Sequence, residues 1–481
     1  MNELVPQIDV CYVISHGFAA RMVLQTGLLI RLADAGKQVA VIAPDASDEN
    51  LRDVGQHPRI HVFNAGLKQT IWDDDYTVKR MYFLEDLRAN PVFWEKHIYS
   101  IRYTKSKHPW KRVRPFIYYG IHRLIKYFPS IQARFRKTEH RNLVSTTAED
   151  LLQQLQPYLV VATYPINFIE AKYLYAAKSL GYETMIHLLS WDNITSKGIF
   201  PVIPDRFILW GDIMYQELKD YYGTPDTKVA VCGVPHFDHH LTIKEQPSYK
   251  ALLKELGLDP ERPYFFLAMS SPRFAPYEID IVEWLAEQVN RNVFGDEMQF
   301  VVRPHPQNVQ GSMADQRWLG RLQAIKGPRV GVDIPKLVDS KVRYSMKATD
   351  MDHLSNLLVG CTLSLNSGST VSIDSLVMGK PVILTSFDGD KLLNYWKSAR
   401  RLIDYIHLKK LVDLGGVRVV RSYQDLQLAI QQYIANPDYD ITERQGALER
   451  EIYRNDGQAT TRVVDYLLSV LEELKPAHAT S

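Results

Sequence analysis

The segment Leu363–Ser386, LSLNSGSTVSIDSLVMGKPVILTS, sets a loop of small and hydroxyl residues between an apolar run and a helix-forming one. A strand, then Ser367, Gly368, Ser369 and Thr370, then a helix makes an anion site, because the first N–H groups of a helix have no partner within it. The hydroxyls of Ser367, Ser369 and Thr370 add donors suited to a phosphate. Asp374 follows one turn into the helix, where a carboxylate accepts from a ribose diol. Taken alone, the same run also describes an ordinary capped helix.

A second constellation lies upstream in FVVRPHP, Phe300–Pro306, where Arg303 supplies a fixed charge and His305 a switchable donor at the end of an apolar run. A lone histidine at a strand end is more often packing; paired with the hydroxyl loop it reads as a phosphate contact. Ser270 and Ser271 after YFFLAM are a further small-residue loop, with Arg273 either neutralising an anion or solvated. In the first half of the chain, SHGFAAR (Ser15–Arg21) offers His16 as a general base for an acceptor hydroxyl, or as a helix-entry cap. Asp192, beside Trp191 in LLSWDNITSKG, is a second base or acceptor-orienting group, or a turn residue.

These residues need elements that bring them together. The pattern predicts strands at Ile8–Ile14, Gln38–Ala43, Ile60–Phe63, Leu159–Thr163, Met185–Leu189, Arg206–Leu209 and Lys228–Cys232, with a helix over Ala19–Ala35 and a long helical insertion over about 75–155. A linker is expected near 236–245. A second alternation then runs through strands Tyr264–Met269, Met298–Val302, Lys341–Ser345, Cys361–Leu365 and Val382–Thr385, with helices over Glu278–Val289, His353–Val359 and Val371–Met378. Two βα series predict two parallel sheets whose ligands bind beyond the carboxyl ends of the strands. The expected division is 1–238, 245–458, and a closing segment 459–481 whose helix packs back on the first domain.

Composition narrows the function. With 46% hydrophobic and 23% charged residues the 481-residue chain is ordinary globular protein, long enough for two cores. Cys11, Cys232 and Cys361 lie far apart in apolar runs, which suggests buried core positions rather than a disulfide or zinc framework. No apolar run is long enough to span a bilayer, and the start has no secretory pattern, so a cytoplasmic location is expected. No Asp-x-Asp or His-Cys cluster is taken to demand a metal, so no divalent ion is expected. The net charge of +2 conceals twelve Lys and Arg against one acid, Glu139, between Arg102 and Arg141, interleaved with aromatics. That patch suits an anionic membrane surface or a polyanionic glycan, or is a solvated face; nucleic acid is disfavoured, since no recognition motif accompanies it.

The spacing of Ser367-Gly368, Asp374, Gly379 and Pro381 resembles the nucleotide-binding helix of GT-B glycosyltransferases, notably the peptidoglycan N-acetylglucosaminyltransferase type, in which a Glu holds the ribose. Asp stands at that position here. FVVRPHP is similar to the His-Pro motif of bacterial sialyltransferases and capsule sugar transferases, which is paired with a Ser-Ser or Ser-Thr motif, and to the RxHP of glycerophosphotransferases of teichoic acid synthesis. VAVCGVPHFD and NDGQATTRVVDYL resemble the linker-proximal and closing segments of the same fold and of sugar 2-epimerases. The resemblance implies an α/β protein of two Rossmann-like domains facing a cleft, with the basic insertion in the first. It further implies a nucleotide-sugar donor of UDP or CMP type and no other cofactor, with Ser270, Arg303, His305, Ser367–Thr370 and Asp374 holding the nucleotide and phosphates. Catalysis falls to His16 and Asp192. Asn366, eight residues before Asp374, departs from the two-Glu pattern of retaining enzymes and favours inversion. The expected function is glycosyl transfer to a glycan or lipid-linked acceptor in surface polysaccharide assembly, at the inner membrane face. Glycerophosphate transfer from a cytidine diphosphate donor, 2-epimerisation and a non-catalytic binding protein are the alternatives.

Overall fold

Runs such as VCYV (β1, Val10–Val13) and VAVIA (β2, Val39–Ala43) carry no polar face, and strands of that kind must be covered on both sides. In the computed structural model, which describes residues 6–70, 73, 109–188, 190–222, 229–309 and 316–478, they sit at the centre of a seven-stranded parallel sheet. Its members also include β3 (Ile60–Asn64), β4 (Leu159–Ala162), β5 (Glu183–His187), β6 (Arg206–Leu209) and β7 (Val229–Val231), in the order β3-β2-β1-β4-β5-β6-β7. A second parallel sheet of six runs β10-β9-β8-β11-β12-β13: β8 (Tyr264–Ala268), β9 (Gln299–Arg303), β10 (Val330–Val332), β11 (Ser364–Asn366), β12 (Val382–Thr385) and β13 (Arg418–Val420). Both orders reverse direction next to their first strand, between β1 and β4 and between β8 and β11. Those are the switch points where a doubly wound sheet opens a crevice.

Three departures from the sequence pattern bear on the site. Lys341–Ser345, expected as a strand, is a loop, and its place at the sheet edge belongs to β10, a three-residue strand too short to show periodicity. The loop makes a parallel bridge from Arg343 to His16 instead. The expected helix Ala19–Ala35 is broken into a turn at Gly17–Ala19, a wide π-type turn at Ala20–Leu24 and a helix at Leu28–Asp34, with Gly27 at φ 72° between them. At the predicted linker a helix, Pro235–Glu245, starts directly after β7 with its proline in the first turn.

The final helix, Ala459–His478, buries Val463, Leu467, Val470 and Leu471 in one cluster with β1 and with Leu28, Leu29 and Leu32. Of the insertion, helices Pro109–Tyr127, Pro129–Leu143 and Thr146–Leu155 are described. Residues 75–108, including the start of the basic patch at Arg102, lie outside the described residues. All three cysteines are buried and unbridged. Among the described residues no helix is long and apolar enough to cross a membrane.

Candidate functional site

Each switch point is bridged by a buried glutamate that sequence reasoning missed. In the first sheet Glu170 accepts from the Ser15 amide (3.0 Å) and hydroxyl (2.5 Å) after β1, and from the amides of Thr163 (2.6 Å) and Tyr164 (2.5 Å) after β4. In the second, Glu278 accepts from the Ser270 amide after β8 and the Ser367 hydroxyl after β11, both at 2.6 Å. Burial pushes the Glu278 carboxyl up to about 7 and raises that of Glu170. Pinned this way, the loops at each crevice hold a fixed shape without occupying it. The Ser367 side chain is 1% exposed and faces Glu278 and Thr385, so it supports the loop from behind rather than offering the phosphate donor expected of it.

The loop itself is held by Asn366, whose Oδ1 accepts from the amides of Gly368 (2.8 Å) and Ser369 (2.9 Å). These are two of the amides expected to face an anion; Thr370 is the first beyond the bracket. Ser369 and Thr370 are half-buried, and Gly368 lies at φ 113° against Leu402 and Leu408, where a side chain has no room. Ser270 is pinned through both main-chain groups, its carbonyl accepting from Asn308 Nδ2 at 3.1 Å.

Arg303 and Asp374 both have protein partners. Arg303 is buried between Asp333 and Asp350, the latter at 2.5 Å, and both guanidinium ends are spent there. Asp374 is 2% exposed and accepts from His240 Nε2 at 2.6 Å, with Arg21 Nη2 at 3.6 Å. Through Oδ1 it joins the Pro235–Glu245 helix and the π-type turn of the first domain to the second. Sequence spacing identified both positions, but not the partners, which come from distant segments.

The histidines are where the two halves meet. His16 caps the turn at Gly17, its Nδ1 accepting from the Phe18 amide at 3.3 Å; His305 caps Pro306–Val309, its Nδ1 accepting from the Gln307 amide at 3.1 Å. With Nδ1 an acceptor, the neutral ring carries its proton on Nε2 and presents a donor. Burial first, then Arg343 and Lys197, push His16 down to about 4; burial and His16 push His305 down to about 4. Both are half-buried neutral donors at physiological pH, near enough for each to be felt by the other. In this tautomer His16 presents an Nε2–H donor, and the general-base role expected of it requires the other tautomer. Its ring lies 5.9 Å from that of Tyr164 and 5.6 Å from Tyr344.

Asp192 lies beside this pair. Lys197 Nζ is 2.8 Å away, the Ser196 hydroxyl 3.0 Å, and Trp191 packs 5.0 Å from His407 of the second domain. Despite burial, Lys197 and His407 hold the Asp192 carboxyl well below the usual carboxylate range, so it is ionised throughout the physiological window. Against the pull of burial, Asp192 and Tyr164 raise Lys197, which stays protonated in its ion pair with Asp192. Asp-x-Asp runs do occur, and Asp350 and Asp388 belong to two of them. Asp350 serves Arg303, while Asp388 accepts from Ser398 and the Ala399 amide.

The closure of the halves is built by the Lys341–Lys347 loop. The Gly17 amide donates to Arg343 O at 2.8 Å, Gln25 Nε2 to Met346 O at 2.9 Å, and Asn50 Nδ2 to Ser345 Oγ at 3.1 Å.

Two doubly wound parallel sheets with facing switch points define the GT-B class of fold. No protein-family model and no curated protein matches the chain. Solved structures do: UDP-GlcNAc 2-epimerase from Neisseria meningitidis bound to UDP-GlcNAc, at 12% identity over 96% of this chain and 100% of that one, has a TM-score of 0.54. UDP-GlcNAc 2-epimerase from Methanocaldococcus jannaschii, also at 12% over 96% and 100%, gives 0.52. A glycosyltransferase from Rickettsia africae, at 9% over 98% and 99%, gives 0.50. The likeness extends over both sheets and establishes the GT-B fold.

Proposed function

We propose that the protein is a sugar-nucleotide-dependent glycosyltransferase that acts by inverting displacement on a glycan or lipid-linked acceptor of surface polysaccharide assembly. The observation that carries this reading is the pair His16 and His305, two neutral Nε2–H donors set on opposite domains beside Lys197. Two donors and a cation on either side of a crevice suit a diphosphate, whose oxygens gain charge as the anomeric bond breaks. Thr370, Ser369 and the Ser270 loop extend the same wall. The acceptor oxygen bonds to the anomeric carbon as the bond to the β-phosphate oxygen breaks. As the new bond acidifies the acceptor oxygen, its proton passes to Asp192, the ionised carboxylate oriented by Lys197, and the diphosphate leaves with the electron pair. The reading calls for no metal and no cofactor besides the donor.

Thermal unfolding with uridine, cytidine, guanosine and thymidine diphosphates tests binding, because a ligand of the folded state raises its stability by linkage. One nucleotide is expected to stabilise the wild type, with His305→Ala and His16→Ala each weakening it about tenfold, the worth of one hydrogen bond to a charged group. Asp192→Asn is expected to keep binding and lose turnover. Unchanged nucleotide affinity in both histidine variants removes the site. 2-Epimerisation is the second reading, supported by the two epimerase neighbours, and consumption of a UDP-sugar without acceptor identifies it. Transfer of glycerol phosphate, read by product mass, identifies the third, and binding without any turnover a scaffold.

A further inference from the structure

Helix Pro109–Tyr127 turns an apolar arc outward. Trp110 is 62% exposed and Leu124 58%, with Val113, Ile117, Ile121 and Phe128 exposed between and beyond them. At 100° per residue Trp110, Val113, Ile117, Ile121 and Leu124 fall within one narrow sector, with exposed Phe116 and Tyr127 along its edge and Phe128 at the turn to the next helix, so the exposure is one continuous stripe rather than scattered residues. At 19 residues the helix is about 28 Å long. Its sequence carries Lys111, Arg112, Arg114, Arg123 and Lys126 and no acid. The partner helix Pro129–Leu143 adds exposed Ile131 and four more cations; its one acid, Glu139, is already paired with Arg136 at 2.9 Å.

We infer that this helical hairpin is an interfacial membrane anchor whose occupant is an anionic lipid leaflet. An apolar stripe on a helix whose sequence holds five cations and no acid matches a surface whose interior is hydrocarbon and whose rim is negative. A polyanionic glycan answers the charge but leaves the stripe in water. A protein partner answers the stripe but leaves the run of like charge without a stated match. Trp110 and Tyr127 stand at the two ends, where amphipathic rings favour the headgroup level. The hairpin is tied to the cleft: Arg136 Nη1 donates to Phe200 O at 3.2 Å, and His140 Nε2 lies 3.2 Å from Pro201 O. Phe200 and Pro201 continue the segment that carries Asp192 and Lys197, so a leaflet seated on the stripe lies beside the acceptor side of the crevice. The anchor itself does not depend on which sugar chemistry the cleft performs.

The test is flotation of the full chain with vesicles of phosphatidylcholine alone and with vesicles containing phosphatidylglycerol, at low and high salt and without nucleotide. Wild type is expected to float with the anionic vesicles and to release in salt. Ile117→Glu with Leu124→Glu, both exposed, is expected to keep the wild-type Tm and lose partitioning tenfold or more, since each such side chain contributes about tenfold on burial. Equal binding to both vesicle types, no binding by wild type, or wild-type binding by the double variant each overturns the anchor. So does a wild-type dimer in light scattering that the double variant abolishes. Donor affinity measured in parallel reports on the crevice separately, so failure of one reading is distinguishable from failure of the other.

Discussion

Gly17→Ala probes the seam between the halves. Gly17 does not occupy a left-handed backbone region, so alanine is allowed there, and by itself it stabilises by about 0.4–1 kcal/mol through the unfolded chain. Its Cβ, however, comes within 3.0 Å of Tyr344 O, Tyr344 C and Ser345 N, all backbone atoms of the opposing domain that no rotamer change can remove. The Lys341–Lys347 loop has to retreat by roughly 1 Å to restore a ~3.5 Å carbon contact. Overpacking of that kind costs about 1–3 kcal/mol, so the net loss is about 1–2 kcal/mol, or roughly 2–8 °C in Tm for a domain of this size. Gly446→Ala, in helix Ile441–Ile452 with nothing within 4 Å of its Cβ, is the matched control and is expected to raise Tm. Scanning calorimetry of the two variants decides the matter. If Gly17→Ala raises Tm as the control does, the loop does not dock on the first domain, and the joint donor set of His16 and His305 loses its basis.

Three further outcomes follow from the buried polar groups. Burial and the neighbouring Glu217 push Glu451 up to about 8, and burial pushes Glu217 up to about 7 with Lys410 at 2.6 Å opposing. The folded state keeps protons there that the unfolded chain has released, so stability falls as pH rises from about 4.5 through about 8; Glu451→Gln is expected to flatten that slope in urea titrations, and an unchanged slope refutes the assignment. Arg303→Met strands Asp333 and Asp350 and is expected to cost about 3–5 kcal/mol by denaturant unfolding, whereas a surface phosphate ligand costs almost nothing. Asn366→Ala releases the Gly368 and Ser369 amides and is expected to cost about 1–3 kcal/mol, while Asn366→Asp, keeping an acceptor oxygen, retains most of it; equal losses argue against the bracket.

Strand–helix alternation was legible because fully buried parallel strands leave long apolar runs, and β1, β2, β8 and β12 show them plainly. Strands β10 and β13 escaped, being three residues long with a glycine in the one and an arginine opening the other. At the site, motif position was legible and partner choice was not. His305, Ser369 and Thr370 are half-buried, whereas Arg303, Ser367 and Asp374 look like ligand contacts only until Asp333, Glu278 and His240 are brought beside them. Glu170 and Glu278 carried one available signal: an acid in the first turn of the helix that follows a strand. The Nδ1 caps of His16 and His305 had none, since a ring's hydrogen-bond direction is set by local backbone geometry.

The closing helix has a consequence for biosynthesis. Val463, Leu467, Val470 and Leu471 complete the apolar layer over Leu28, Leu29 and Leu32, residues made more than 400 positions before them. During translation that face waits, unsealed, while the whole second domain is made, so the nascent chain has to rely on holding factors or on rapid late docking to avoid association. A frameshift late in the message thus damages the half of the protein encoded earliest.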